Sequence, residues 1–531
     1  MTRSSAAHSA PHRHRSPVAE ISAACEETFC KQIAGRTGIV LQDHQLSNLR
    51  DTIRNGCTRF GYADAAQYLQ DLQTSEGLTA PLEYLIAGIT VGESYFFRDS
   101  EQIELLRDDL LPGIIAEKRA AGDWSLRIWS AGCSQGQEIY TIALMLHGLL
   151  PDIGKWRIHL LGTDINSDAV AKAMRGRYSA WSFRATSQEL RERWFDRAGN
   201  EYDIRPEVRR MVHFAYLNLT EDVYPSILSE TNAMDIILCR NVFIYLDRQA
   251  VQRSMAQFSE CLLEHGVLML GASDPVEYMH TSLNWVQNGR TAYFRKELPN
   301  GSVAQPYRLP AMTSRAMPDD GQRQISPIRM VEPVKPATSG QPEKPPNDAD
   351  GIIKLLKCSE WTTALAQIEE LFRNGKESSD LWQMKAKALA SLGKTDMALQ
   401  ACELSLQLAH DNKHTYLIQG LILAELDCIQ EAEQALRKAL YLDHSFLEAH
   451  YELGMLRVRA SDLRGGIKSL ENALKLASAG DQERELHNAG GMTYRRFAQV
   501  LQNEIEMLQD IAADPKPRKL PGSSRGRGDS R

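Results

Sequence analysis

Between residues 126 and 270, short apolar runs of strand length alternate with segments of helical period. LRIWSA (126–131), IHLLGT (158–163), MVHFAY (211–216), MDIILC (234–239) and GVLML (266–270) read as strands. QEIYTIALMLHGLL (137–150), SDAVAKAMRG (167–176) and RQAVQRSMAQFSECLL (248–263) read as helices. Strand–helix alternation covers both faces of one sheet, so it predicts a doubly wound, mostly parallel α/β domain over residues 93–297. Such a sheet binds its ligand beyond the carboxyl ends of the strands. The stretch IWSAGCSQGQE follows the first strand and opens the first helix, where that site is built.

The chain of 531 residues is long enough for about three or four domains. Residues 1–20 are basic and His-containing but lack an apolar run, so they read as a solvated tail and not as a secretory signal. Residues 21–92 read as a bundle of short helices. Phe29, Ile33, Ile39, Leu46, Leu49, Ile53, Tyr68, Leu69 and Leu72 recur at helical spacings there, punctuated by Gly35, Gly38, Gly56, Gly61 and Gly77. Residues 298–348 hold ten of the 21 prolines and read as an extended spacer that tethers a separate C-terminal module.

From 349 to 480 the pattern is helical and repeats every 34 residues. Ala364, Ala398, Ala432 and Gly466 keep that step. So do Ala386, Gly420 and Gly454, and the leucines 406, 440, 474 and 408, 442, 476. This is the period of tetratricopeptide (TPR) helix pairs, with small residues at the helix crossings and the leucines expected in the stacked core. Residues 481–531 read as a helical segment and a basic tail.

Net charge of −7 gives no global reason to expect nucleic acid. No apolar run approaches the roughly 18–20 residues of a membrane span. Nine cysteines without a C-x-x-C pair read as reduced thiols of a cytoplasmic protein, and no metal site is expected.

The glycine-rich turn admits two chemistries. Gly132-Cys133-Ser134-Gln135-Gly136 matches G-x-S-x-G, which would make Ser134 a nucleophile with His265 or His280 as base. That elbow needs several preceding strands and an oxyanion loop, and the residues before Leu126 are mainly helical. The cofactor reading fits the surroundings better. The second strand ends in Gly162-Thr163-Asp164, which places a carboxylate where ribose hydroxyls bind. The glycine spacing is not that of a pyrophosphate loop. Glu138 in the first helical turn suits a cationic ligand. S-adenosylmethionine has a ribose, a sulfonium and no phosphate, so these residues together favour a class I methyltransferase.

Residues 21–297 resemble the CheR-type chemoreceptor glutamate methyltransferases. Six segments match in order: ITVGESYFFRD (89–99), WSAGCSQGQEIYTIA (129–143), GTDIN (162–166), AYLNL (215–219), ILCRNVFIYLD (237–247) and GRTAYFRK (289–296). The resemblance implies methyl transfer from S-adenosylmethionine to glutamates of a chemoreceptor's cytoplasmic helical bundle. It places Ser94 and Arg98 at the methionine end of the cofactor, with Arg98 beside the transferring methyl. It gives Glu138 and the loop at Gly132 to the cofactor, Asp164 to the ribose, and Asn218 and Leu219 to the adenosine surroundings. Arg240 and Asn241 would line the strand-end face, and Tyr245 the reacting centre. Phe96 and Phe97 read as packing residues.

Two segments depart from the family pattern. In the first, its Asn is Gly92 here and its second Thr is Ser94; in the second, its Glu-Glu-Pro is Gln137-Glu138-Ile139. The helical domain would dock on the receptor, with His44, Arg50, Arg54 and Arg59 as a positive face. The repeats would dock a further protein. Residues 176–215 leave open a small β-subdomain of the kind some relatives use to grip a receptor tail. A repeat scaffold whose methyltransferase fold only senses cofactor is the alternative.

Overall fold

The computed structural model describes residues 21–75, 79–90, 92–220, 224–226, 229–275, 282–297, 348–357, 360–486 and 493–513. The expected N-terminal tail, Gly77, His280, the spacer up to 347 and the basic C-terminal tail lie outside them. Four helices, α1 (Ala23–Thr37), α2 (Leu46–Phe60), α3 (Ala65–Thr74) and α4 (Ala80–Ile89), form the N-terminal bundle. Phe29, Ile33, Leu49, Ile53, Tyr68 and Leu72 are its fully buried core, as their helical spacing requires. Gly38 and Gly61 end α1 and α2 in the left-handed conformation.

Helices α5 (Ser100–Leu105) and α6 (Leu111–Ala121), joined by a π-helical turn, lead into the sheet domain. Its elements are β1 (Ser125–Ala131), α7 (Gln137–Leu149), β2 (Arg157–Asp164), α8 (Ser167–Arg175), β3 (Arg177–Ser179), α9 (Gln188–Trp194), β4 (Phe195–Ala198), β5 (Glu201–Ile204), α10 (Pro206–Arg209), β6 (Val212–Tyr216), β7 (Met234–Cys239), α11 (Arg248–Cys261), β8 (Leu262–Leu270), β9 (Asn284–Asn288) and β10 (Thr291–Arg295). Seven strands run in the order β6-β2-β1-β7-β8-β10-β9, the first five parallel and the β9–β10 hairpin antiparallel.

Strand β1 pairs with both β2 and β7, so the strand order reverses there and a crevice opens at its carboxyl end. Leu126 and Ile128 of β1 enter one core while Trp129 and Ala131 enter the other. Burial on both faces explains why this strand reads as a continuous apolar run. The segment left open by the sequence does form a second sheet, with strands in the order β3-β5-β4.

Helices α12 (Asp348–Lys357) to α20 (Tyr494–Ala513) complete the chain. Between them lie α13 (Trp361–Arg373), α14 (Ser379–Ser391), α15 (Thr395–Leu408), α16 (Lys413–Glu425), α17 (Ile429–Leu442), α18 (Leu447–Arg459) and α19 (Leu463–Ala479). The pairs α14/α15, α16/α17 and α18/α19 are antiparallel neighbours one repeat apart. The small residues sit where the paired helices cross. A Cβ at Gly420 would lie 2.8 Å from Leu436, and one at Gly454 2.8 Å from Leu470.

The leucine registers do not fill the core as expected. Leu408 and Leu442 are 54% and 39% exposed, and Leu440, Leu474 and Leu476 pack only from the side. Alanines 398, 401, 432, 435, 439, 473 and 477, with Leu436 and Leu470, make the core instead. The helices approach too closely there for larger side chains.

The spacer does not leave the repeats as a separate tethered body. The turns between paired helices pack on the amino-terminal ends of the parallel strands, opposite the crevice. Arg127 at the start of β1 pairs with Glu425, and Arg459 pairs with Glu230. Asn232 donates to the Ala390 carbonyl at 3.2 Å. His159 and His213 face the same Glu230. The carboxylate is taken by Arg459 and the Arg127 guanidinium reaches the Glu230 carbonyl, so the cluster is an interdomain ion pair and not a cation site. A cavity of about 1460 Å³ along the edge of β6, lined in part by His213, Tyr216, Arg459 and Phe497, separates the sheet from the stack.

Helix α20 binds all three parts together. Leu501 and Leu508 join the repeat core, Met507 the sheet core and Val500 the core of the N-terminal bundle. Its Glu504 is 1% exposed against β6, and its Asn503 lies beside Glu83 of α4. Burial pushes both carboxyls, Glu504 and Glu83, up to about 7. A carboxyl raised by folding favours the folded form when protonated. The stability it contributes is full below its unfolded pKa, near 4.5, and is lost as pH rises through about 7. Amide exchange of α20 should therefore be faster at pH 8 than at pH 6 by more than the intrinsic base-catalysed rise. Glu504→Gln should reduce that difference, and an unchanged pH dependence in this variant would remove the assignment.

Candidate active site

The glycine-rich turn is built by backbone geometry. The N–H groups of Gly132 and Cys133 both donate to the Thr163 carbonyl, at 2.8 and 2.9 Å. Gly132 has φ 78°, and a Cβ there would lie 2.4 Å from Val242. Gly136 has φ 85°, and a Cβ there would lie 2.8 Å from the Phe214 ring. These glycines are required by close protein approach, which explains why their spacing is not that of a phosphate loop.

Asp164 closes the turn from the end of β2. Its Oδ2 accepts the Ser134 N–H and its Oδ1 the Asn166 N–H, both at 2.8 Å. Burial raises its carboxyl, and these backbone donors oppose the rise. Each oxygen keeps a free lone pair, so the group is oriented to accept two neighbouring hydroxyls.

Arg240, at the end of β7, is the hub of the site. Its side chain is 3% exposed. Nη1 donates to Glu138 Oε2 at 2.9 Å, Nη2 to Asp99 Oδ2 at 2.9 Å and to the Arg98 carbonyl at 2.7 Å, and Nε to Gln102 Oε1 at 2.7 Å. Gln102 in turn donates to the Leu270 carbonyl of β8. The other oxygen of Glu138 accepts the Ser130 hydroxyl at 2.7 Å. These hydrogen bonds of Arg240 all go to protein groups, and it sets the position of Glu138.

Asn218 likewise bonds protein groups. Its amide donates to the Arg36 carbonyl of α1 at 2.9 Å, and its oxygen accepts from Thr220. It ties the helical bundle to the strand ends. Leu219 is buried in the second core, and its carbonyl accepts from Tyr224 and Ser254.

The turn after β7 carries Asn241 and Tyr245. Asp274, 5% exposed, holds it by accepting N–H groups of Asn241 at 2.6 Å, Gly271 at 2.8 Å and Ile244 at 3.1 Å. Sequence reasoning missed Asp274 and Gln102, and only the SDP after β8 hinted at the first. Asn241 has φ 58°, and its buried Oδ1 has no partner among the described residues. The N-terminal bundle meets this turn directly, with Val40 N–H on the Tyr245 carbonyl and Asp247 N–H on the Gly38 carbonyl, both at 2.8 Å.

The segment before α5 is pinned at Phe96. Its ring is fully buried against Phe183 at 5.1 Å, Phe195 at 5.0 Å and Tyr178 at 4.9 Å. Phe97 and Asp99 take φ near 60°, and the Arg98 carbonyl meets Arg240 just beyond β7. Arg98 donates to the Glu93 carbonyl at 3.0 Å and has no carboxylate partner among the described residues. Its charge reaches Tyr245, where it opposes the rise that burial causes in the phenol. Arg98 and Tyr245, far apart in sequence, thus lie within electrostatic reach of each other. On the bundle, Arg50 and Arg54 are paired with Glu26 and Asp51, so the expected positive face is partly neutralised.

The hydrolase alternative finds no support. Ser134 Oγ is buried with no hydrogen-bond partner among the described residues, so no described imidazole, His265 included, stands against it; His280 lies outside the described residues.

The family described as "CheR methyltransferase, SAM binding domain" matches residues 92–292. A Vibrio cholerae "chemotaxis protein methyltransferase 1" is 31% identical over 255 residues, 46% of this chain and 87% of that protein. A Rhizobium etli "probable chemotaxis protein methyltransferase" is 29% identical, covering 45% of this chain and 88% of its own. A Pseudomonas putida "probable biofilm formation methyltransferase WspC" is 27% identical over 456 residues, 85% of this chain and 98% of that one, so the likeness runs into the repeats. A solved MamA from Desulfovibrio magneticus RS-1 covers 32% of this chain at 17% identity and a TM-score of 0.24, too low to carry weight.

Removing the hub leaves buried carboxylates without their cation. Arg240→Ala should cost about 3–5 kcal/mol in urea unfolding. Arg240→Lys should recover little of it, because one ammonium cannot span acceptors on three elements. A loss under about 1 kcal/mol would show that the guanidinium is no hub.

Proposed function

The chain belongs to the CheR methyltransferase family, and from that premise we propose that it methylates glutamate side chains on the cytoplasmic helical bundle of a bacterial chemoreceptor. It is a methyltransferase, and its methyl donor is S-adenosylmethionine. The observation that carries the acceptor reading is Arg98, a cation with no carboxylate partner among the described residues, whose charge reaches Tyr245 in the turn after β7.

The crevice fits the donor. Asp164 is oriented for ribose hydroxyls. Ser134 Oγ and Asn241 Oδ1 are buried polar atoms without partners among the described residues. Glu138 retains lone pairs for an ammonium, and Ser94 and the Gly132 turn complete the set. When bound, S-adenosylmethionine supplies a sulfonium methyl that an acceptor carboxylate takes in one displacement, with no proton to remove near pH 7.

The chain then has to orient, not to deprotonate. Arg98 steers the carboxylate, and Tyr245 offers it a hydroxyl. Arg98 must hold it loosely, since the nucleophile loses charge as the ester forms. The N-terminal bundle, bonded to the Tyr245 turn, provides the receptor-facing surface. The repeats dock a protein partner; a cavity of about 310 Å³ lies among Met384, Lys413, Phe446 and Tyr494. No described helix is long and apolar enough to cross a membrane, and we place the protein in the cytoplasm.

Calorimetric titration of S-adenosylhomocysteine into the full chain tests the site. Binding near micromolar, lost in Asp164→Ala, is expected, and no binding at high micromolar ligand would leave the scaffold alternative in front. Arg98→Ala should lower kcat for base-labile methyl transfer by about 100-fold or more while the titration stays near wild type. Gly92 adds a finer test. A Cβ there would sit 3.6 Å from Gln135 and 3.8 Å from Ser134 Oγ, in ordinary contact and without backbone strain. Gly92→Asn, which restores the family's amide beside a partnerless hydroxyl, should tighten S-adenosylhomocysteine severalfold.

A further inference from the structure

Trp181 is 65% exposed, on a single turn of 3₁₀ helix (Ala180–Phe183) between β3 and α9. An isolated exposed aromatic needs no explanation. This one is the outer end of an ordered row. The Arg184 guanidinium lies 4.5 Å from the Trp181 ring on one side and 3.6 Å from the Tyr95 ring on the other. Arg98 stands 5.8 Å from that same Tyr95 ring. Aromatic rings and guanidinium groups thus alternate from the surface of the small sheet to Arg98.

The row is fixed in place. Arg184 also pairs with Glu93 Oε1 at 3.1 Å and donates to the Trp181 carbonyl at 3.1 Å. The Glu93 carbonyl is the one Arg98 holds. The Ser182 carbonyl accepts the Phe96 N–H at 3.0 Å, next to the buried Phe96–Phe183 stack. The turn bearing Trp181 cannot shift without moving the segment that bears Arg98.

We propose that Trp181, Arg184 and Tyr95 form the acceptor-side wall of the active site, docking the helix whose glutamate reaches Arg98. The proposal rests on the acceptor reading above. Rigid Trp, Tyr and Arg side chains dominate binding energy where they are presented in a preorganised surface. The acidic groups of this wall are already taken, Glu93 by Arg184 and Asp99 by Arg240, so the charge left for a partner is that of Arg98. That favours a carboxylate-bearing helix over a basic or neutral one. Trp181, at the outer end of the row, therefore meets a residue of that helix other than the methylated glutamate.

The test uses the full chain, S-adenosylmethionine, and a soluble helical fragment of a bacterial chemoreceptor's cytoplasmic domain as acceptor. Trp181→Ala and Arg184→Ala should each raise acceptor KM about tenfold, with the loss falling on KM more than on kcat. S-adenosylhomocysteine titration and melting temperature should match wild type, and Trp181→Phe should recover most of the affinity. An unchanged acceptor KM in Trp181→Ala, with wild-type turnover intact, overturns the wall alone. A KM rise matched by weaker S-adenosylhomocysteine binding or a lower melting temperature also overturns it, as a purely structural effect. If the wild-type chain binds S-adenosylhomocysteine yet transfers no methyl to the fragment, the acceptor reading fails and the wall falls with it.

Discussion

A single buried guanidinium decides whether the crevice exists. Arg240 joins the segment before α5, the first turn of α7 and, through Gln102, the end of β8. Burying a cation costs several kcal/mol unless its hydrogen bonds are met, and here acceptors lie on every side. The arrangement is worth more than its pairs because each acceptor is itself anchored: Glu138 by Ser130, Gln102 by its bond to Leu270. What this network fixes is the carboxylate of Glu138 and the return path of the chain through Arg98. Asp274 does the same work for the neighbouring turn with backbone donors alone.

The second constraint is helix α20. Its side chains enter the cores of the repeat stack, the sheet and the N-terminal bundle at once, so three units with separate cores share one element. The same helix places Glu504 against the edge strand β6, where an open strand would otherwise present unpaired backbone. Covering a strand edge with a carboxylate that resists ionisation makes this contact sensitive to proton concentration.

Much of this was legible in sequence, and the failures have physical causes. The large parallel strands were readable because burial on both faces leaves uninterrupted apolar runs. The strands of the small sheet, three or four residues each, are too short for any period to show. Asp164, Glu138, Arg98 and Tyr245 were singled out through motif and position. So were Arg240 and Asn218, but a motif reports that a residue is required and not what it touches; both hydrogen-bond protein groups. The 34-residue step identified the repeats and misplaced their leucines, because the closeness of the paired helices admits alanine to the core and turns part of the leucine stripe outward.

The two ends of the sheet divide the work. The carboxyl ends of the strands carry the loop, the Arg240 network and the N-terminal bundle. The amino ends carry the repeats, held by Arg127–Glu425 and Arg459–Glu230. A partner bound by the repeats therefore need not compete with an acceptor at the crevice. Influence of one on the other has a physical route through α20, which touches the stack on one side and, by Asn503 and Val500, the bundle that frames Tyr245 on the other. A repeat stack anchored in this way shares one helix with the bundle beside the active site, a contact that a flexible tether would not make.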